Sequence, residues 1–196
     1  QDELGSYSTN AGWGDRVQNL RRAAELINGT VVMPGEEFSV EQTTLPYTEE
    51  NGYVAGSAYE NGQIVESIGG GLCQVSTTLY NAVLYAELEV TQRASHSMSV
   101  SYVDPSRDAM IAEGISDFKF VNNYDTPILI EGYIDSNNQL GFYIYGKDTR
   151  DAEHSVEFES ETLETTEYTT KYVEDTEAEI GSQETEGAGM DGSTAR

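Results

Sequence analysis

Nearly all the aliphatic and aromatic clusters of this chain fall within its first 147 residues, and that confinement limits where a core can form. Those residues carry enough apolar surface for one core. Beyond them the sequence turns rich in Glu and Thr, with 15 acidic and 3 basic side chains over residues 148–196. From about Ile180 the run of Gly, Ser, Glu and Thr cannot bury enough apolar surface to offset the entropy of ordering. The expected organisation is a folded domain over 1–147, an acidic extended segment with room for a strand over 148–179, and a disordered linker or tail over 180–196.

Charge removes several function classes. Across its 196 residues the chain has 35 acidic against 10 basic side chains, a formal −25. DNA or RNA would be repelled through its phosphates. No polybasic segment exists to hold an anionic membrane surface. No apolar run approaches the roughly 20 residues of a membrane-spanning helix. Gln1 is not a start methionine and no secretory apolar region is present, so the sequence reads as a processed or excised piece. A monomer without membrane insertion in this fragment is expected.

Periodicity places the elements. Val17, Leu20, Ala24 and Ile27 recur at helical spacing from Asp15 to Asn28, and Asn28-Gly29 supplies a left-handed stop. Short strands are expected at Thr30–Met33 and Glu37–Val40. Residues 41–53 show no clear period. Val54–Glu60 and Gln63–Ser67 flank Asn61-Gly62, a strong hairpin signal. A helix over 73–87 carries the stripe Val75, Leu79, Ala82, Val83 and Ala86, which leaves Cys73 on the opposite side with Thr77 and Tyr80. Leu88–Val103 is mixed, with Met98, Val100 and Tyr102 alternating after His96. Phe118–Val121, Ile128–Ile134 and Leu140–Tyr145 read as strands, the last two joined through Asp135–Asn138. Alternation at Val156, Phe158, Tyr168 and Tyr172 allows one or two more. Few helices and several hairpins give an α+β fold, antiparallel hairpins packed on a few helices.

The segment Gly69-Gly70-Gly71-Leu72-Cys73-Gln74 carries the most chemical information. Glycines free the backbone to approach a ligand. A helix start offers unpaired N–H donors and partial positive charge, and a thiol placed there becomes more nucleophilic. The same N–H groups could hold an oxyanion. A phosphate loop is the alternative, but no Lys-Ser or Lys-Thr follows and the helix carries no cation. Simple packing of Cys73, the only cysteine, is the other. No internal disulfide is possible. His154 lies in the acidic tail, so His96 is the base available to activate Cys73. A third group would orient the imidazole, with Asp108, Asp117, Asn122 or a backbone carbonyl as candidates. Arg107 could clamp a substrate carboxylate, or form only a surface ion pair with Asp108. His and Cys lack metal-ligand spacing, so neither a metal nor another cofactor is expected.

Several blocks resemble the VanW family: Asn19-Leu20-Arg21, Ile27 to Thr30, Pro34-Gly35-Glu36, Ile68 to Asn81 (IGGGLCQVSTTLYN), Arg93, His96-Ser97, Ser101-Tyr102-Val103, Arg107-Asp108-Ala109, Asp117-Phe118 and Pro127 to Ile130. The resemblance covers residues 4 to about 147. It implies a secreted, cell-surface or cell-wall protein of Gram-positive bacteria. It further implies an L,D-transpeptidase that forms 3–3 peptidoglycan cross-links through a cysteine acyl-enzyme, with Cys73 as nucleophile and His96 as general base. A cysteine peptidase or amidase on stem peptides, and a non-catalytic wall-binding module, are the other readings. Peptidoglycan stem peptides would be the partner. Asp108 is the leading orienting residue, and Arg107, Gly70, Gly71, Gln74, Ser97 and Tyr102 are candidate substrate contacts.

Overall fold

The computed structural model describes residues 1–60, 63–172, 182 and 191–196. In chain order the elements are β1 (Asp2–Asn10), α1 (Arg16–Ile27), β2 (Thr30–Val32), β3 (Glu37–Ser39), α2 (Val40–Thr44), β4 (Ala55–Glu60), β5 (Gln63–Ile68), α3 (Cys73–Tyr85), β6 (Glu89–Gln92), β7 (Lys119–Val121), β8 (Ile128–Ile134), β9 (Gln139–Gly146), β10 (Thr162–Thr166) and β11 (Gly192–Ala195). The described residues form a mixed fold of antiparallel strands and three α-helices, in keeping with the hairpin pattern.

The largest sheet has the order β1-β9-β8-β2. Alternation along β9 sends Leu140, Phe142 and Ile144 inward, where all three are fully buried, and leaves Tyr143 and Tyr145 on the other face. Ile128 and Ile130 of β8 join the inward set, and α1 and α3 cover it. The apolar stripe of α1 is buried as predicted, and Gly29 ends the helix at φ +82°. A second sheet, β3-β7-β6, adds Phe38 and Phe120 to the same core, joined by Phe118 just ahead of β7.

Several expectations need correction. β1 was not foreseen, because only Leu4, Gly5 and Thr9 among its residues are buried, with Leu4 the single aliphatic side chain, and its backbone is recruited by pairing with β9. Residues 40–44 form a short helix, capped by Ser39, whose hydroxyl accepts from the Gln42 N–H. The alternation at Met98, Val100 and Tyr102 is no strand; residues 93–111 form an irregular loop. The predicted stripe of α3 is buried, but Gln74, Ser76, Thr77, Thr78 and Asn81 are buried too. The helix is enclosed all round, with its polar face under that loop.

β4 and β5 pair as expected, while the turn residues 61–62 lie outside the described part. In the acidic segment the strand is β10, between the two alternations rather than on them, and it pairs with β11. Phe158 packs against Tyr85, ring centroids 5.3 Å apart. Most of the Gly/Ser/Glu/Thr run after Ile180 lies outside the described residues.

Candidate active site

The glycine turn delivers Cys73 to the first residue of α3. Its glycines serve the fold directly. A Cβ on Gly70 would stand 2.0 Å from the Gly56 oxygen, so β4 and the turn could not approach. Asn19 of α1 fixes the same junction, donating from Nδ2 to the Val54 and Gly70 oxygens at 2.9 and 3.0 Å. Gly71 has φ +98° and supplies the left-handed step into the helix. Among residues 71–74, the Leu72 and Gln74 N–H groups are used within the turn, on Gly69 and Gly71 oxygens. The N–H groups of Gly71 and Cys73 have no backbone acceptor among the described residues.

The half-buried Cys73 sulfur faces the loop that packs on the polar side of α3. Its thiol donates to the Ile111 oxygen at 3.3 Å, and the sulfur lies near enough to the His96 side chain to favour charge on the imidazole. His96 Nδ1 meets Asp108 Oδ2 at 2.6 Å, which leaves Nε2 as the ring nitrogen for the sulfur. The same carboxylate oxygen accepts from the His96 backbone N–H at 2.6 Å. Of the two carboxylate candidates, Asp108 therefore reaches the imidazole, whereas Asp117 accepts from Ser39 and the Glu41 N–H, and Asn122 donates to Val32 and Thr126 oxygens.

Side chains of α3 hold Asp108 where it is. The Ala109 N–H donates to Thr77 Oγ1 at 2.9 Å, Ser76 Oγ donates to the Ala109 oxygen at 2.6 Å, and Asn81 Nδ2 donates to the Arg107 oxygen at 2.9 Å. Arg93 clamps the other side, donating to the Asp108 and Ser106 oxygens and, at 3.1 Å, to Asp108 Oδ1. The Ser-Thr-Thr-Leu-Tyr-Asn run after Cys73 is therefore the seat of the loop that carries the Asp108 carboxylate.

The electrostatics follow from these contacts. Side chains of His96 and Asp108 are only 7% and 10% exposed. Burial opposes charge on the imidazole, but its hydrogen bond to Asp108 and the neighbouring Cys73 outweigh it and push His96 up to about 9. Burial likewise opposes charge on Asp108, yet the two His96 hydrogen bonds hold its carboxyl below the usual value. Around the sulfur stand two phenols. Burial, then the nearby Cys73, raises Tyr102. Burial also pushes Tyr47 up to about 12.

Other candidate contacts fall in different places. Ser97 is exposed and lines, with Ser95, His96 and Asp108, a cleft of about 330 Å³ whose opposite wall is residues 191–195. Gln74 is 1% exposed; its side chain donates to Thr9 and Asn10 and accepts from Arg16, so it is bound into the fold. Arg107 is buried beside Asn81, to which Nε donates at 2.8 Å, and its guanidinium lies over Tyr7, Tyr85 and Phe158. Asn81 is eight residues along α3 from Cys73, about 12 Å at helical rise, so this guanidinium is not brought to the sulfur. It is not a surface ion pair with Asp108 either, since Asp108 is taken by His96 and Arg93. Arg93 and Arg16, which do reach the site's framework, carry no local sequence signal for that role.

Comparison with known proteins gives a consistent picture. The chain is 44% identical over 130 residues to the uncharacterized protein YoaR of Bacillus subtilis (strain 168), covering 65% of this chain and 43% of that protein. It is 30% identical over 146 residues to the vancomycin B-type resistance protein VanW of Enterococcus faecalis (strain ATCC 700802 / V583), covering 69% of this chain and 53% of that protein. The chain thus spans about half the length of these relatives. No solved structure matches it. The family model described as VanW like protein matches residues 15–145, across the α1 helix, the glycine turn, Cys73, His96 and Asp108, and the chain belongs to the VanW family.

Proposed function

We propose that this chain is a cysteine acyltransferase of the bacterial cell surface, an L,D-transpeptidase that forms 3–3 cross-links between peptidoglycan stem peptides. The observation that carries the reading is the His96–Asp108 pair standing beside the half-buried Cys73 sulfur. A relative named for vancomycin resistance is in keeping with a cell-wall setting.

The chemistry follows from proton positions. His96, raised to about 9, takes the thiol proton, and Asp108 stabilises the resulting imidazolium. The thiolate adds to the amide carbonyl carbon on the L-centre of the third stem residue, and the π pair moves to oxygen. The Gly71 and Cys73 N–H groups are the donors left to receive that oxyanion. Collapse re-forms the carbonyl and breaks the C–N bond; the leaving amine takes the proton from His96. A side-chain amine from a neighbouring stem then attacks the thioester, gives its proton to His96, and releases Cys73. Tyr47 and Tyr102 stand close enough to the sulfur for its charge to act on their phenols.

Incubating the protein with disaccharide tetrapeptides and following products by mass spectrometry tests this. A covalent adduct on Cys73 and a 3–3 dimer are expected, both absent in Cys73→Ala. Dimer formation that survives Cys73→Ala would overturn the nucleophile. Adduct turnover to tripeptide without dimer would make the enzyme a peptidase, and no adduct would leave a non-catalytic module.

A further inference from the structure

One cation stands at the same end of α3 as the sulfur. Arg16 opens α1, and its NH1 donates to the Ala11 oxygen at 2.8 Å, just past β1. Its NH2 donates to Gln74 Oε1 at 2.9 Å, in the first turn of α3. Gln74 in turn donates to Thr9 and to the Asn10 oxygen, so the end of β1, the start of α1 and the start of α3 meet through this guanidinium. The contact with the glycine turn is closer still. A Cβ on Gly71 would lie 3.2 Å from both Nε and NH2 of Arg16 and 2.9 Å from Leu20 Cδ1. The left-handed Gly71 therefore lets the charge rest against the turn whose N–H groups lead into Cys73. The Tyr102 phenol, which adjoins the sulfur, also feels the Arg16 charge.

We infer that Arg16 is a positioning residue for acyl transfer: it holds the Gly71–Cys73 turn as an oxyanion cradle and adds positive charge beside it. The inference rests on the reading of Cys73 as an acyl nucleophile. Its consequence is selective. Addition of the thiolate to a carbonyl moves the π pair onto oxygen, and only that negative charge benefits from the cradle. Displacement of iodide from iodoacetamide forms an S–C bond at a saturated carbon and creates no oxyanion. Arg16 should accelerate the first reaction and be nearly indifferent to the second.

The test compares the two reactions on the full chain and on Arg16→Gln and Arg16→Lys. The acyl donor is 4-nitrophenyl acetate: Cys73 adds to the ester carbonyl, and collapse expels 4-nitrophenolate, leaving an acetyl thioester. The expected result for Arg16→Gln is acylation slowed by about tenfold or more, with iodoacetamide alkylation changed by less than about twofold. Arg16→Lys, which keeps the charge but loses the forked bridge, should fall between. Unchanged acylation overturns the inference. So does an equal fall in both reactions, since Arg16 would then act on the thiol or on folding. Wild-type protein alkylated but never acylated at Cys73 would instead defeat the acyltransferase reading itself.

Discussion

Asp108 Oδ2 accepts two hydrogen bonds from one residue, from the backbone N–H and from Nδ1 of His96, each at 2.6 Å. The pair of bonds fixes both where the loop runs and how the ring is turned. A carboxylate held this way favours the Nδ1–H tautomer and leaves Nε2 for the Cys73 sulfur.

Asp108→Asn keeps the size of the side chain but removes the charge that stabilises imidazolium. The rate of Cys73 acylation should fall by about 10²-fold or more, measured by intact-protein mass spectrometry. An unaltered rate would show that His96 needs no carboxylate behind it.

The His96–Asp108 pair also ties stability to pH. His96 is raised from 6.5 to about 9 in the folded chain, so its contribution is complete below 6.5 and lost as pH rises through about 9. Asp108 is lowered from 3.8, so its contribution is present above 3.8 and lost as pH falls further. The denaturant midpoint of the wild type, minus that of His96→Gln, should therefore shrink between pH 6.5 and about 9. A difference that stays flat over that interval would contradict the ion pair.

Arg107→Lys separates packing from substrate recognition. Lysine cannot reproduce the Nε bond to Asn81 together with the contacts to three rings, so stability should drop by about 1–2 kcal/mol. The KM for stem peptides should be unchanged. A raised KM with intact stability would instead return Arg107 to the substrate.

Gly70→Ala places a methyl group against backbone that cannot yield, the Gly56 oxygen at 2.0 Å. A loss of about 1–3 kcal/mol or more is expected in chemical denaturation. A variant as stable as the wild type would mean that the turn and β4 can separate without cost.

The elements that the sequence made legible are those governed by local rules. The stripe of α1 and its Asn28-Gly29 stop, the β8–β9 hairpin around Asp135–Asn138, and the β4–β5 pairing all depend on neighbours within a few residues. Cys73 at the start of α3 was readable for the same reason, because glycines and an apolar period mark a helix start wherever they occur. β1 was invisible because it has a single buried aliphatic side chain and gains its structure from the edge of β9. Met98 to Tyr102 misled in the opposite way, since alternation without a partner strand does not make one.

The sequence by itself determined the stock of chemistry: one thiol, one imidazole within residues 1–147, and a glycine turn to present the thiol. Only the tertiary structure decided which carboxylate serves the imidazole and which arginines stand near it. Asp108 lies 35 residues from Cys73, and the link between them runs through Thr77, Ser76 and Asn81 gripping backbone at 107–109. Arg16 and Arg107 look alike as sequence, yet α1 carries one to the glycine turn while Asn81 and three rings hold the other along α3. Distances of this kind are set by how helices and loops pack, and no periodicity along a chain encodes them.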